Sequence, residues 1–202
     1  LSDMAGLAAA VVAQALTLRA STPAGLAVAA VAAGAAVGVR SQAVWLTVPL
    51  LLFAWWRMRE ARARAGLVSA AGYSAGVLIW AVPLIALSGG VSGYLRALGT
   101  QGAEDFAGVA MLATQPSLRL LASALYYTFL APWATWWLGV AMLSAALAGL
   151  GWSLARNRPA VSVLLVLFGP YAVFHLLFQE TLTTRYALPL VLPVAYLAAA
   201  GL

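Results

Sequence analysis

Cysteine is absent from the 202 residues, which excludes disulfides, thiol nucleophiles and thiolate metal sites and leaves the redox compartment open. Lysine is absent too, and all eleven basic residues are arginine, a pattern that base-composition bias explains without any special chemistry. Acids number five and histidine one, with no paired carboxylate at ligand spacing beside that histidine, so no metal site is expected. Charged residues make up 8% of the chain, against roughly a quarter in soluble domains. No internal repeat and no G-x-x-x-x-G-K, H-E-x-x-H or G-x-S-x-G signature occurs, and no cofactor is evident. What fills the chain is apolar: 64% of residues are hydrophobic. A net charge of +6 would raise nucleic acid as a partner for a soluble protein, but here the arginines fall at the ends of apolar runs. That pattern is membrane topology, and no nucleic acid is expected.

The chain is organised around Arg57-Met58-Arg59-Glu60-Ala61-Arg62-Ala63-Arg64, four arginines in eight residues between two uncharged apolar stretches. Short arginine-rich loops resist translocation, so this loop is expected in the cytoplasm and fixes the orientation of every other segment by alternation. A span needs about 20 apolar residues. Seven candidates satisfy or approach that length: 4–18, 22–39, 43–56, 66–87, 133–154, 160–178 and 186–202. Alternation then places seven arginines against Glu60 on the inner side. On the outer side it places Arg40, Arg96, Arg119 and Arg185 against Asp3, Glu104, Asp105 and Glu180. The asymmetry agrees with the orientation.

The stretch 118–154 is too long for one span and conceivable as two, but a second crossing there would turn Arg156-Asn157-Arg158 outward. Residues 117–131 are therefore expected to form an interfacial helix ending at Pro132, with Tyr126, Tyr127, Trp133, Trp136 and Trp137 as an aromatic belt. Residues 88–117, rich in glycine, are expected to form an outer-face loop with a short helix or two. The expected fold is all-α: a polytopic transmembrane helical bundle of about seven spans, with that loop and the interfacial helix. It forms a single transmembrane domain over 1–202, in the cytoplasmic (inner) membrane, with membrane lipid as its surroundings. The chain starts at Leu1 without a signal-peptide n-region and ends inside an apolar run, so it is expected to be an internal or C-terminal fragment of a longer protein. Gly34-Ala-Ala-Val-Gly38 and Gly72-Tyr-Ser-Ala-Gly76 are small-xxx-small patterns, expected to serve ordinary helix packing rather than a specific dimer.

Two polar constellations stand out. Arg40-Ser41-Gln42 caps a hairpin whose second arm, 43–56, rises only about 21 Å against a hydrocarbon core of about 30 Å. The guanidinium and carboxamide are thus expected in a partly dehydrated place, where charge marks a site with an anionic partner unless Arg40 snorkels to the headgroups. The second constellation is His175, Gln179, Glu180, Arg185 and Tyr186. His175 and Gln179 are four apart and expected on one helix face, and Glu180 opens an outer turn that Arg185 closes. His175 reads either as a hydrogen-bonded structural residue or as a participant in chemistry. Both constellations carry a planar, bidentate cation suited to phosphate.

Gly38-Val-Arg-Ser-Gln42 before a short apolar helix with Pro49, the Trp80-Ala-Val-Pro83 run leading through Gly89-Gly90 to Tyr94-Leu95, and Thr184-Arg-Tyr-Ala-Leu-Pro189 leading to Pro193 together resemble part of a known class. That class is the later half of bacterial GT-C type membrane glycosyltransferases, such as protein O-mannosyltransferases and aminoarabinose transferases of lipid A. The resemblance implies an enzyme of the cell envelope that takes a sugar from a polyprenyl-phosphate donor and transfers it on the extracytoplasmic face. By similarity Arg40 and Arg185, with Ser41 and Gln42, bind the donor phosphate. Asp3, His175, Gln179, Glu180 and Tyr186 line the cavity, although a helix cap accounts for Asp3 equally well. The catalytic acid of that class lies in an early outer loop, upstream of residue 1. Two other readings remain: a secondary transporter or permease, and a non-catalytic membrane subunit.

Overall fold

The computed structural model describes residues 2–106 and 108–201; the side chains of Ser2 and of residues 103–106 lie outside the description. Glu104 and Asp105, counted above among the outer acids, therefore lack a described environment, as do Leu1, Ala107 and Leu202. Among the described residues every regular element is helical. They are α1 (Ser2–Arg19), α2 (Pro23–Val39), α3 (Ala43–Arg57), α4 (Arg62–Leu87), α5 (Val91–Phe106), α6 (Leu118–Phe129), α7 (Trp136–Arg156), α8 (Arg158–Phe178) and α9 (Leu188–Gly201). Two single 3₁₀ turns, Ala131–Trp133 and Thr184–Ala187, precede α7 and α9.

Three helices are long and apolar enough to cross a membrane, namely α4, α7 and α8. At about 1.5 Å per residue, α4 reaches roughly 39 Å and α7 and α8 each roughly 31 Å, against a hydrocarbon core of about 30 Å. Their packing makes the same point: only 6% of the most apolar window of α4 is buried. Leu67 is 73% exposed and Ile79 63%. Apolar side chains exposed to that extent mark a membrane or partner surface in a folded protein. The α2 and α3 helices are apolar but shorter, at 17 and 15 residues. The 12-residue α6 rises only about 18 Å and is too short to cross.

The chain divides into two compact units, 1–109 and 110–202. In the first, α2 lies along α4, and α1 and α3 pack against α2. The α2–α4 approach is made by glycine: a Cβ on Gly72 would sit 2.6 Å from the Ala27 carbonyl oxygen, and Cβ atoms on Gly34 and Gly76 would run into the carbonyls of Tyr73 and Val31. The two small-xxx-small patterns thus face each other within one chain, and Trp80 Nε1 donates to Gly34 O at 3.0 Å across the same seam. Ala29, Ala30, Ala33, Leu26, Ala13, Leu51 and Ala65 form the core around it. Pro49 withholds an N–H in the middle of α3, and nearby Gln14 of α1 donates from Nε2 to Leu46 O at 2.8 Å.

In the second unit α7 lies along α9, where Gly149 and Gly201 allow equally close backbone approach. Asn157 is the only non-helical residue between α7 and α8. It ends one helix with its backbone and caps the next with its side chain, accepting from Ala160 N at 3.4 Å.

Several boundaries depart from the sequence expectation. The arginine loop is shorter than 57–64, because Arg62-Ala-Arg-Ala contains only good helix formers and becomes the first turn of α4. The 88–117 loop contains one 16-residue helix, α5. The span expected at 133–154 begins at Trp136, since Pro132 and the left-handed Ala134 (φ 66°) set the 3₁₀ turn apart from α7. The span expected at 186–202 begins at Leu188, with Tyr186 in the 3₁₀ turn.

Candidate functional site

Arg40 sits in extended conformation (φ −155°, ψ 120°) just after α2, its N–H closing onto Ala36 O. Extension of the chain there turns its side chain toward the start of α1. Arg40 Nη1 makes an ion pair with the Asp3 carboxylate, and Nε donates to Gln42 Oε1 at 2.6 Å. The stem of Arg40 passes over Gly6, where a Cβ would stand 2.7 Å from the arginine Cβ. Asp3 and Gly6 are three apart and share a face of α1, so one face offers both the carboxylate and the space for the arginine stem. The side chains of Arg40 and Asp3 are 21% and 19% exposed. Gln42 starts α3 without a side-chain cap, its amide oxygen being engaged by Arg40. Ser41 is exposed at the tip. The anionic partner expected for Arg40 is therefore supplied by the chain itself, 37 positions away.

The second cluster is built on the end of α8. His175 is buried between Thr128 of α6, whose Oγ1 lies 2.9 Å from Nε2, and Gln179, whose Oε1 lies 2.7 Å from Nδ1. An amide oxygen only accepts, so the neutral imidazole carries its proton on Nδ1 and accepts the Thr128 hydroxyl at Nε2. The Tyr171 ring lies parallel to the imidazole at 6.1 Å, and its hydroxyl donates to Tyr186 O at 2.7 Å. Gln179 does not continue the helix as expected: it follows α8 with ψ 160°, its N–H reaching His175 O. Its side chain nonetheless returns to His175, while its Nε2 is enclosed without a hydrogen-bond partner among the described residues. Thr181 fixes the next turn by donating from Oγ1 to Ala110 O at 3.1 Å.

Glu180 and Arg185 do not meet as an ion pair in this turn. Glu180 accepts the Thr183 hydroxyl, whereas the exposed Arg185 lies 4.9 Å from the Tyr186 ring centroid and donates to its hydroxyl at 3.0 Å. Arg40 belongs to the first unit and Arg185 to the second. Among the described residues no three His, Asp or Glu side chains gather as a metal ion would require.

The sequence singled out Arg40, Gln42, His175 and Gln179 but not their partners Asp3 and Thr128 as such, nor Tyr171. Tyr171, His175 and Gln179 are spaced by four, a ladder that was available to find. No family model, no curated protein and no solved structure matches the chain.

Proposed function

We propose that this chain is part of a multi-span membrane glycosyltransferase acting at the extracytoplasmic face, with seven crossings and a polyprenyl-phosphate sugar as donor. The observation that carries the proposal is a guanidinium held between a carboxylate and a carboxamide at a helix-hairpin tip, four-fifths enclosed. There the donor phosphate takes the place of Asp3 on the planar fork of Arg40. In the transfer, the bond from the anomeric carbon to the phosphate oxygen breaks and its electron pair leaves on the phosphate. The acceptor oxygen bonds to that carbon and gives its proton to a carboxylate base outside this chain. Arg40 steadies the charge that grows on the phosphate.

The resemblance motifs and the apolar, lipid-suited face of α4 support this reading. A second reading, a non-catalytic membrane subunit, is favoured by the pairing itself, since an arginine already matched by Asp3 serves packing well. Transfer by the full-length protein from a polyprenyl-phosphate sugar separates the two. With a phosphate contact in a partly dry place, Arg40→Ala lowers transfer about tenfold to a hundredfold, and Arg40→Lys falls between. The exchange variant Asp3→Arg/Arg40→Asp restores a structural pair but not a phosphate site. Transfer by that variant at the parental rate, in protein expressed at the parental level, refutes the phosphate role.

A further inference from the structure

Between α3 and α4 runs a groove of about 410 Å³, walled by Val48, Leu51, Leu52 and Trp55 on one side and by Ser69 and Tyr73 on the other. It exists because α4 is drawn onto α2 by the glycine seam and meets α3 only sparingly. One end is closed where the Trp55 indole rests on Gly66 and donates to Arg62 O at 2.9 Å. Within this mostly apolar wall, Ser69 Oγ is enclosed and has no hydrogen-bond partner among the described residues. At the closed end the chain turns through Arg57, Arg59, Arg62 and Arg64, all exposed, with Glu60 as the only acid. The first turn of α4 has no side-chain cap at Ala61, so its N–H groups add to the positive field.

We infer that the groove and the arginine turn together bind one anionic glycerophospholipid. One acyl chain lies between α3 and α4, and the phosphate meets Arg64 and the exposed Arg62, whose Nη2 also donates to Trp56 O at 3.0 Å. A free phosphate leaves the apolar wall uncovered. Arginine clusters at the end of a membrane helix select lipids whose headgroup has no balancing cation. This site is independent of the transferase reading and rests only on the membrane assignment.

The test is native mass spectrometry of the full-length protein taken from mixed phosphatidylglycerol and phosphatidylcholine vesicles and then stripped with detergent. One tightly retained phosphatidylglycerol is expected. At about fivefold per arginine, Arg62→Gln/Arg64→Gln lowers its preference over phosphatidylcholine about twenty-fivefold. Ala70→Trp, which fills the groove from its exposed lining position, removes the retained lipid while the arginines stay. Leu52→Trp fills the opposite wall and serves where Ala70→Trp fails to fold. Equal retention of the two lipids overturns the proposal, as does full retention in a folded groove-filling variant, which would make the lipid an annular one. Complete displacement by glycerol 3-phosphate also overturns it, because the groove would then contribute nothing.

Discussion

Removing one member of the Arg40–Asp3 pair isolates the energetics of a charge held inside the first unit. Both side chains are about one-fifth exposed, so the pair lies between two known regimes. Exposed pairs contribute at most about 1 kcal/mol. Loss of one member of a fully buried pair costs about 3–5 kcal/mol, mainly because the other charge is left without compensation. Discounting for the remaining exposure, Asp3→Asn or Arg40→Gln alone costs about 2 kcal/mol. Arg40→Gln also loses the bond to Gln42, worth about 1 kcal/mol, so it is the costlier of the two. The double variant removes both charges together, and its cost falls below the sum of the singles by about 1–2 kcal/mol. Reversible unfolding in mixed detergent, followed by tryptophan fluorescence, supplies the cycle, with Trp80 against Gly38 as a nearby reporter. Gly6→Val serves as the orthogonal perturbation, since it displaces the arginine stem while leaving both charges present. Strict additivity of Asp3→Asn and Arg40→Gln, within about 0.5 kcal/mol, refutes the coupling and returns Arg40 to the membrane surface.

Gly34→Val and Gly76→Val each force α2 and α4 apart and lower stability by about 1–3 kcal/mol or more, whereas Gly99→Ala, with open space around it inside α5, raises stability by about 0.5–1 kcal/mol in the same unfolding assay. His175→Leu strands the Thr128 hydroxyl and the Gln179 amide and costs about 1–3 kcal/mol; Thr128→Val, which removes one bond only, costs about 1 kcal/mol in thermal melts. Single cysteines at Ala63 and Gly102 label from opposite faces of intact cells with an impermeant reagent, and labelling of both from outside refutes the orientation. Cysteines at Thr114 and Thr135 label only from the face that holds Gly102, and inner access at Thr135 would add a crossing through 118–130.

Helix positions were legible because long uncharged runs leave few alternatives, and proline and asparagine mark most of the breaks. Gly34, Gly38, Gly72 and Gly76 were legible as packing residues from spacing alone, although their facing one another was not. The first turn of α4 was hidden because arginines that suggest a loop are also good helix formers. The ion pair was hidden for a different reason: Asp3 and Arg40 meet only once α1 has folded back along α2, and no local pattern encodes that return. Thr128 and His175 are 47 residues apart and lie on different helices, so periodicity within either helix is silent about their bond. Gln14 left a signal in the form of a lone carboxamide in an apolar run, whose hydrogen bonds have to be found within the protein.

The joint at Asn157 bears on how the second unit is made. Two 21-residue helices separated by one residue have no slack with which to be placed one at a time. At roughly 5–20 residues per second, α8 emerges from the ribosome about 1–4 seconds after α7. Their shared joint ties the final seating of α7 to the arrival of α8.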